Sequence, residues 1–154
     1  MGLDDSLIEI REYDGEGYLP LVDYQSWRVA ILRYIDELLP ERIDTMERHD
    51  ETDEVFVLLA GRCLLFIGEP GSDPDGVERI HPVDMQALRL YNIKKGCFHT
   101  HTLDEAATVL IVENRDTTAE NSTQVTLSEE QQEELIRLTR EVWGKRENSK
   151  DLQD

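Results

Sequence analysis

The chain has 154 residues, a length that fits one domain with a real hydrophobic core. Its apolar fraction of 39% and charged fraction of 32% are those of a folded globular protein rather than a disordered one. The formal net charge of -18 excludes more than it assigns: such a chain is repelled by phosphate backbones and anionic lipid, so neither nucleic acid nor a membrane surface is an expected partner.

At the N-terminus, "MGLDDSLIEI" lacks a basic region and an apolar region, so no signal peptide is expected there. The myristoylation-like "MGLDDS" and the sequon "NST" at Asn121 are short patterns read as chance matches. No apolar run is long enough to span a bilayer. Two cysteines, Cys63 and Cys97, in a chain without a secretion signal read as reduced thiols and point to the cytoplasm.

Residues 1–25 are expected as an N-terminal extension. Tyr18, Leu19, Leu21, Tyr24 and Trp27 lie close together there and mark either a partner surface or a segment folded back over its own domain. "SWRVAILRYI" follows and alternates: Val29, Ile31 and Arg33 point one way, Ala30, Leu32 and Tyr34 the other, as in a strand. "EVFVLLAG" and "RCLLFIGE" are two strand-like runs meeting at Gly61, and a hairpin is expected between them. The same alternation assigns Phe56, Leu58, Leu65, Val109 and Ile111 to the interior. "GEPGSDPDG" (Gly68 to Gly76) is turn chemistry throughout, and His81 in "RIHPVD" is expected in a surface turn. "MQALRLYNI" and "ATVLIVEN" read as further strands.

The C-terminal part differs. In "SEEQQEELIRLTREVW", Ser128 stands three residues before Gln131, a capping-box spacing, and Leu135, Leu138 and Val142 recur at helical period beside Ile136. The expected order is a barrel over 26–125, an amphipathic helix over 126–146 and a flexible tail over 147–154. Many short strands followed by one helix make an antiparallel β-barrel or sandwich with a helical end.

The chemistry concentrates in "ERHDETDE" and "HTH". Glu47 and His49 are two apart and share a strand face, as do His99 and His101. Glu54 opens the next strand. Two imidazoles and a carboxylate brought together inside a barrel make a site for a divalent transition metal; scattered, they are only polar residues at a barrel mouth.

The spacing then resembles the cupin superfamily. Its first motif is a His-X-His pair, three or four residues, a glutamate, six residues and a glycine, matched here by His49, Glu54 and Gly61. Its second motif contains Pro-X-Gly-X-X-His, matched in "KKGCFH" by Gly96 and His99. The resemblance covers Arg28 to Asn114. Glu47 stands in place of the first histidine, Lys94 in place of the proline and Leu103 in place of the usual asparagine. The resemblance implies an all-β double-stranded β-helix, the jelly-roll barrel, and a metal held by His49, Glu54 and His99. The metal implied is a divalent ion, Fe, Mn, Zn or Ni. Glu47 or His101 stands as fourth ligand or general base. It implies a small polar metabolite as ligand or substrate and a homodimer. The alternatives are a non-enzymatic binding or sensing module and a structural homodimer with a vestigial site.

Overall fold

Ten strands and one long helix make up the chain in a computed structural model that describes residue 4 and residues 6–150, with side chains through Lys145. The strands are β1 (Gly17–Tyr24), β2 (Trp27–Arg33), β3 (Thr45–His49), β4 (Glu54–Ala60), β5 (Cys63–Glu69), β6 (Arg79–Asp84), β7 (Leu90–Ile93), β8 (Phe98–Leu103), β9 (Thr108–Asn114) and β10 (Ser122–Thr126). The helix, α1, runs Glu129–Lys150, and two short 3-10 turns separate β2 from β3. They form two five-stranded antiparallel sheets, β1-β2-β9-β4-β7 and β10-β3-β8-β5-β6. From β3 to β10 the chain passes repeatedly from one sheet to the other, which closes a jelly-roll barrel.

Period-two alternation builds the interior. Phe56 and Leu58 of β4, Ala30 and Leu32 of β2, and Val109 and Ile111 of β9 are all buried, and they meet Cys63, Leu65 and Leu103 from the other sheet. Their β4 and β9 neighbours Val55, Val57, Leu110 and Val112 are only half-buried and face outward. Strand β5 is buried on both faces, because Cys63 and Leu65 line the barrel while Leu64 and Phe66 pack under α1 with Met46, Phe98, Leu135 and Leu138. A strand covered on both sides has no polar face, which is why its sequence is a continuous apolar run. The capping box forms reciprocally: Ser128 N–H donates to Gln131 Oε1 at 3.0 Å, and Gln131 N–H to Ser128 Oγ at 3.2 Å.

Several expectations are corrected. The runs meeting at Gly61 are not a hairpin: β4 pairs with β7 and β9, β5 with β6 and β8, in different sheets. Gly61 has φ +68, and a Cβ there would lie 2.4 Å from the Ala107 backbone nitrogen. The turn therefore needs glycine, but it crosses between sheets rather than doubling back within one. The hairpin partner of β5 is β6, across the loop expected at 68–76. His81 lies in strand β6, not a turn, with its exposed ring 2.6 Å from the Glu69 carboxylate. Within "MQALRLYNI" only Leu90–Ile93 is strand; Leu88 takes φ +63 in the turn before it. Gly17–Tyr24, inside the segment expected as an extension, is the edge strand β1, paired with β2. The first residues of the tail expected at 147–154 continue α1 to Lys150, and 151–154 lie outside the described residues.

Candidate metal centre and ligand cavity

One end of the barrel interior is apolar and the other is not. Following β4 upward from Leu58 and Phe56, the next inward side chain is Glu54; following β9 from Val109 and Ile111, it is Glu113. Strand β3 adds Glu47 and His49, and β8 adds His99 and His101. Glu47 and His99 are register partners, as are His49 and Ser122 of β10.

The structure brings His49, Glu54 and His99 together. The Glu54 Oε2 atom lies 3.2 Å from His49 Nε2 and 2.8 Å from His99 Nε2. All three side chains are buried. The outer ring nitrogens are also held: His49 Nδ1 is 2.8 Å from Ser122 Oγ, and His99 Nδ1 donates to the Cys97 carbonyl at 3.0 Å. A carbonyl only accepts, so Nδ1 of His99 carries the hydrogen and, in the neutral ring, Nε2 presents its lone pair to the carboxylate. Two lone pairs facing each other at 2.8 Å need a proton or a cation between them. The donor set thus fits a divalent metal with mixed nitrogen and oxygen preference, held by ligands whose far sides are already oriented.

Electrostatics point the same way. Burial alone would raise the Glu54 carboxyl, but the hydrogen bonds and charge of His49 and His99 outweigh it and hold it down to about 2. Burial alone would lower His49, yet its hydrogen bond to Glu54, with the charges of Glu54, Glu47 and Glu113, raises it above its ordinary value. Burial pushes His101 down to about 4, against a smaller opposing pull from Glu54.

Glu47 offers a carboxylate oxygen to the same region: one ligand atom each from Glu47, His49 and His99 lies within 4.8 Å of the others. His101 lines the cavity over Phe56, ring centroids 5.5 Å apart, with Nδ1 buried and without a hydrogen-bond partner. It is in neither ligating group found among the described residues.

Sequence reasoning missed Glu113. It is buried, its Oε2 lies 3.9 Å from His49 Nε2, and with His49 and Glu54 it forms a second group of potential ligands. Tyr18 of β1 donates its hydroxyl hydrogen to Glu113, and Arg28 of β2, its register partner, lies 3.9 Å away. Burial raises the Glu113 carboxyl, with the Tyr18 hydrogen bond opposing. The signal was present: Val109 and Ile111 inward place Glu113 inward, and Ala30 and Leu32 do the same for Arg28. An acid on the buried face of an apolar strand is the informative exception. Tyr18 had no such signal, since it lay in a segment not read as strand.

The loops carrying the two motifs are clasped together. Asp53, next to Glu54, accepts from Lys94 Nζ at 2.7 Å, Lys95 N–H at 2.8 Å and Asn92 Nδ2 at 3.0 Å. Gly96, at φ +80, donates its N–H to the His49 carbonyl at 2.8 Å. Lys94, standing where the motif has proline, is thus one side of this clasp. Above the site opens a cavity of about 630 Å³, with an apolar wall from Leu32, Ile35, Leu38 and Ile111.

No protein-family model matches the chain, and no curated protein matches it in sequence. Solved structures do. Streptomyces PAC13 with uridine aligns over 77% of this chain and 86% of its own, at 9% identity and TM-score 0.52. PAC13 is described as a nucleoside dehydratase. A cupin-2 domain protein from Shewanella frigidimarina aligns over 72% of this chain and 88% of its own, at 18% identity and TM-score 0.45. Oxalate decarboxylase from Bacillus subtilis aligns over 65% of this chain and 24% of its own, at 15% identity and TM-score 0.45. The chain has a jelly-roll barrel fold: two antiparallel sheets closed into a barrel, followed by one helix. At these identities the likeness is one of fold and assigns no ligand or reaction.

Proposed function

We propose that the barrel holds a divalent metal on His49, Glu54 and His99 and uses it to bind, or act on, a small polar metabolite in the cavity above. The observation that carries this is the meeting of two oriented Nε2 atoms on one Glu54 oxygen. When bound, such a metal supplies Lewis-acid polarisation of a substrate oxygen or lowers the pKa of a bound water. Glu47 faces the same point and is the better fourth ligand or base. His101, at about 4, is neutral near pH 7 and far from the range in which a general base works well, which favours it as a hydrogen-bonding wall. The ligands leave Fe, Mn, Zn and Ni as candidates. The free thiols of Cys63 and Cys97 support a reducing, cytoplasmic setting. No described helix is long and apolar enough to cross a membrane.

Elemental analysis of the purified protein, followed by calorimetric titration of chelator-treated protein with each metal, tests the reading. His49→Ala should lose most bound metal while keeping its far-ultraviolet dichroism; equal metal content in variant and parent would sink the assignment. Binding should also weaken in acid. A ligand imidazole must be deprotonated, and the His49 pKa is raised above 6.5, so affinity falls as pH drops through that raised value, with proton release on binding along that acid limb and none well above it. Affinity independent of pH between about 5 and 8 would remove His49 from the site.

The bare outer face of the first sheet favours a second element of the reading, pairing with another copy of this chain. Leu19, Tyr24 and Trp27, at the β1–β2 edge, are 42%, 57% and 42% exposed.

A further inference from the structure

The polar lining of the cavity is lopsided. Glu37, Glu47, Glu54 and Glu113 bring four carboxylates, and Arg28 is the one cationic side chain lining it among the described residues. Arg28 is already answered: it lies 3.9 Å from Glu113 and 3.8 Å from Asp23, and it donates to the Arg115 carbonyl. A divalent ion on the His49–Glu54–His99 set would leave the lining at a formal charge of about -1, inside a chain of net charge -18. The low-dielectric apolar wall strengthens whatever field these groups make. The cavity of about 630 Å³ leaves room for a small ligand against these carboxylates.

We infer that this cavity takes a neutral or cationic ligand rich in hydrogen-bond donors, such as a polyol or an amine, and excludes carboxylate and phosphate ligands. This rests on the reading of the cavity as the ligand site. Glu113 is its main selector, because Tyr18 and Arg28 hold it beside Glu54 and facing His49 and His99 from the opposite sheet. Ligand hydroxyl or amino groups donate to Glu113 and Glu47. An anionic ligand would set a like charge against those same carboxylates, whose summed charge already outweighs that of Arg28 and a divalent ion together.

The test reads the cavity's charge preference without knowing the ligand. Gln124 lines the cavity on β10, and Ser72 sits in the exposed β5–β6 loop. In a full-length Cys97→Ser background, where the remaining Cys63 is fully buried, Gln124→Cys and Ser72→Cys are each alkylated with neutral iodoacetamide, anionic iodoacetate and cationic 2-bromoethylamine. The ratio of iodoacetamide to iodoacetate rates should be about tenfold larger for Gln124→Cys than for Ser72→Cys, with bromoethylamine relatively favoured. Adding Glu113→Gln to Gln124→Cys should lower that ratio by about threefold or more. Ratios within about twofold of each other at the two positions, or no response to Glu113→Gln, would overturn the inference. Running each reaction with chelator and with saturating Zn2+, and measuring bound zinc, separates the two readings. Failure of zinc, and of Fe, Mn and Ni titrated in its place, to bind removes the metal assignment, while the alkylation ratio still decides the charge selectivity.

Discussion

The two sheets of this barrel are built alike on the inside and differently on the outside. The outer face of β10-β3-β8-β5-β6 is closed by α1, whose Leu135 and Leu138 sit on Met46, Leu64, Phe66 and Phe98. The outer face of β1-β2-β9-β4-β7 carries Val29, Ile31, Val55, Val57, Leu110 and Val112 half-buried, with Leu59 44% exposed and Leu90 75% exposed. Both faces are apolar, and only one is covered within the described chain. An apolar face covered in cis contributes to the stability of the monomer; the same kind of face left open contributes to association instead.

The sharpest way to break this contrast is at α1. Leu135 is fully buried, and Leu135→Ala should destabilise the protein by about 2–5 kcal/mol in urea unfolding. A loss under about 1 kcal/mol would mean that the helix is not the lid of a second core. Next comes the open face. Leu110 sits mid-way along central strand β9, between register partners Ile31 and Val57. Leu110→Lys should raise a dimer dissociation constant by about 100-fold with little change in monomer stability, since lysine can carry its charge to water. Sedimentation equilibrium across a salt series measures this. The parent dimer should hold or tighten as salt rises, because the net charge of -18 opposes association most at low salt. A parent that is monomeric at micromolar concentration at every salt level would leave the open face without this partner.

A smaller effect sits at the start of the helix. Ser128→Ala removes one half of the capping box and should cost about 1 kcal/mol, read in the same urea titration. The smallest is Leu90→Ala at the edge of the open face, expected within about 0.5 kcal/mol of the parent in monomer stability. A cost near that of Leu135→Ala would show that the open face is covered within the monomer after all.

Much of the site was legible because strand period does not depend on context. The two-residue spacing of Glu47 and His49, like that of His99 and His101, places side chains on one face whatever the strand pairs with, while Glu54 and Gly61 were legible only as motif spacing. The inward core residues Phe56, Leu58, Val109 and Ile111 followed from the same alternation, and the capping box at Ser128 from a purely local hydrogen-bond exchange. Tertiary structure alone decided which strands are neighbours. Gly61 demanded a turn, but whether that turn doubled back in one sheet or crossed to the other depended on β9 and β8 lying ready to pair with β4 and β5. It decided that Glu113, Tyr18 and Arg28, from three strands far apart in the chain, would face the histidines across the barrel. It also decided which apolar face the helix would cover, because the energy of burying an apolar face is set by what lies against it, and the alternation that creates the face is silent about its partner.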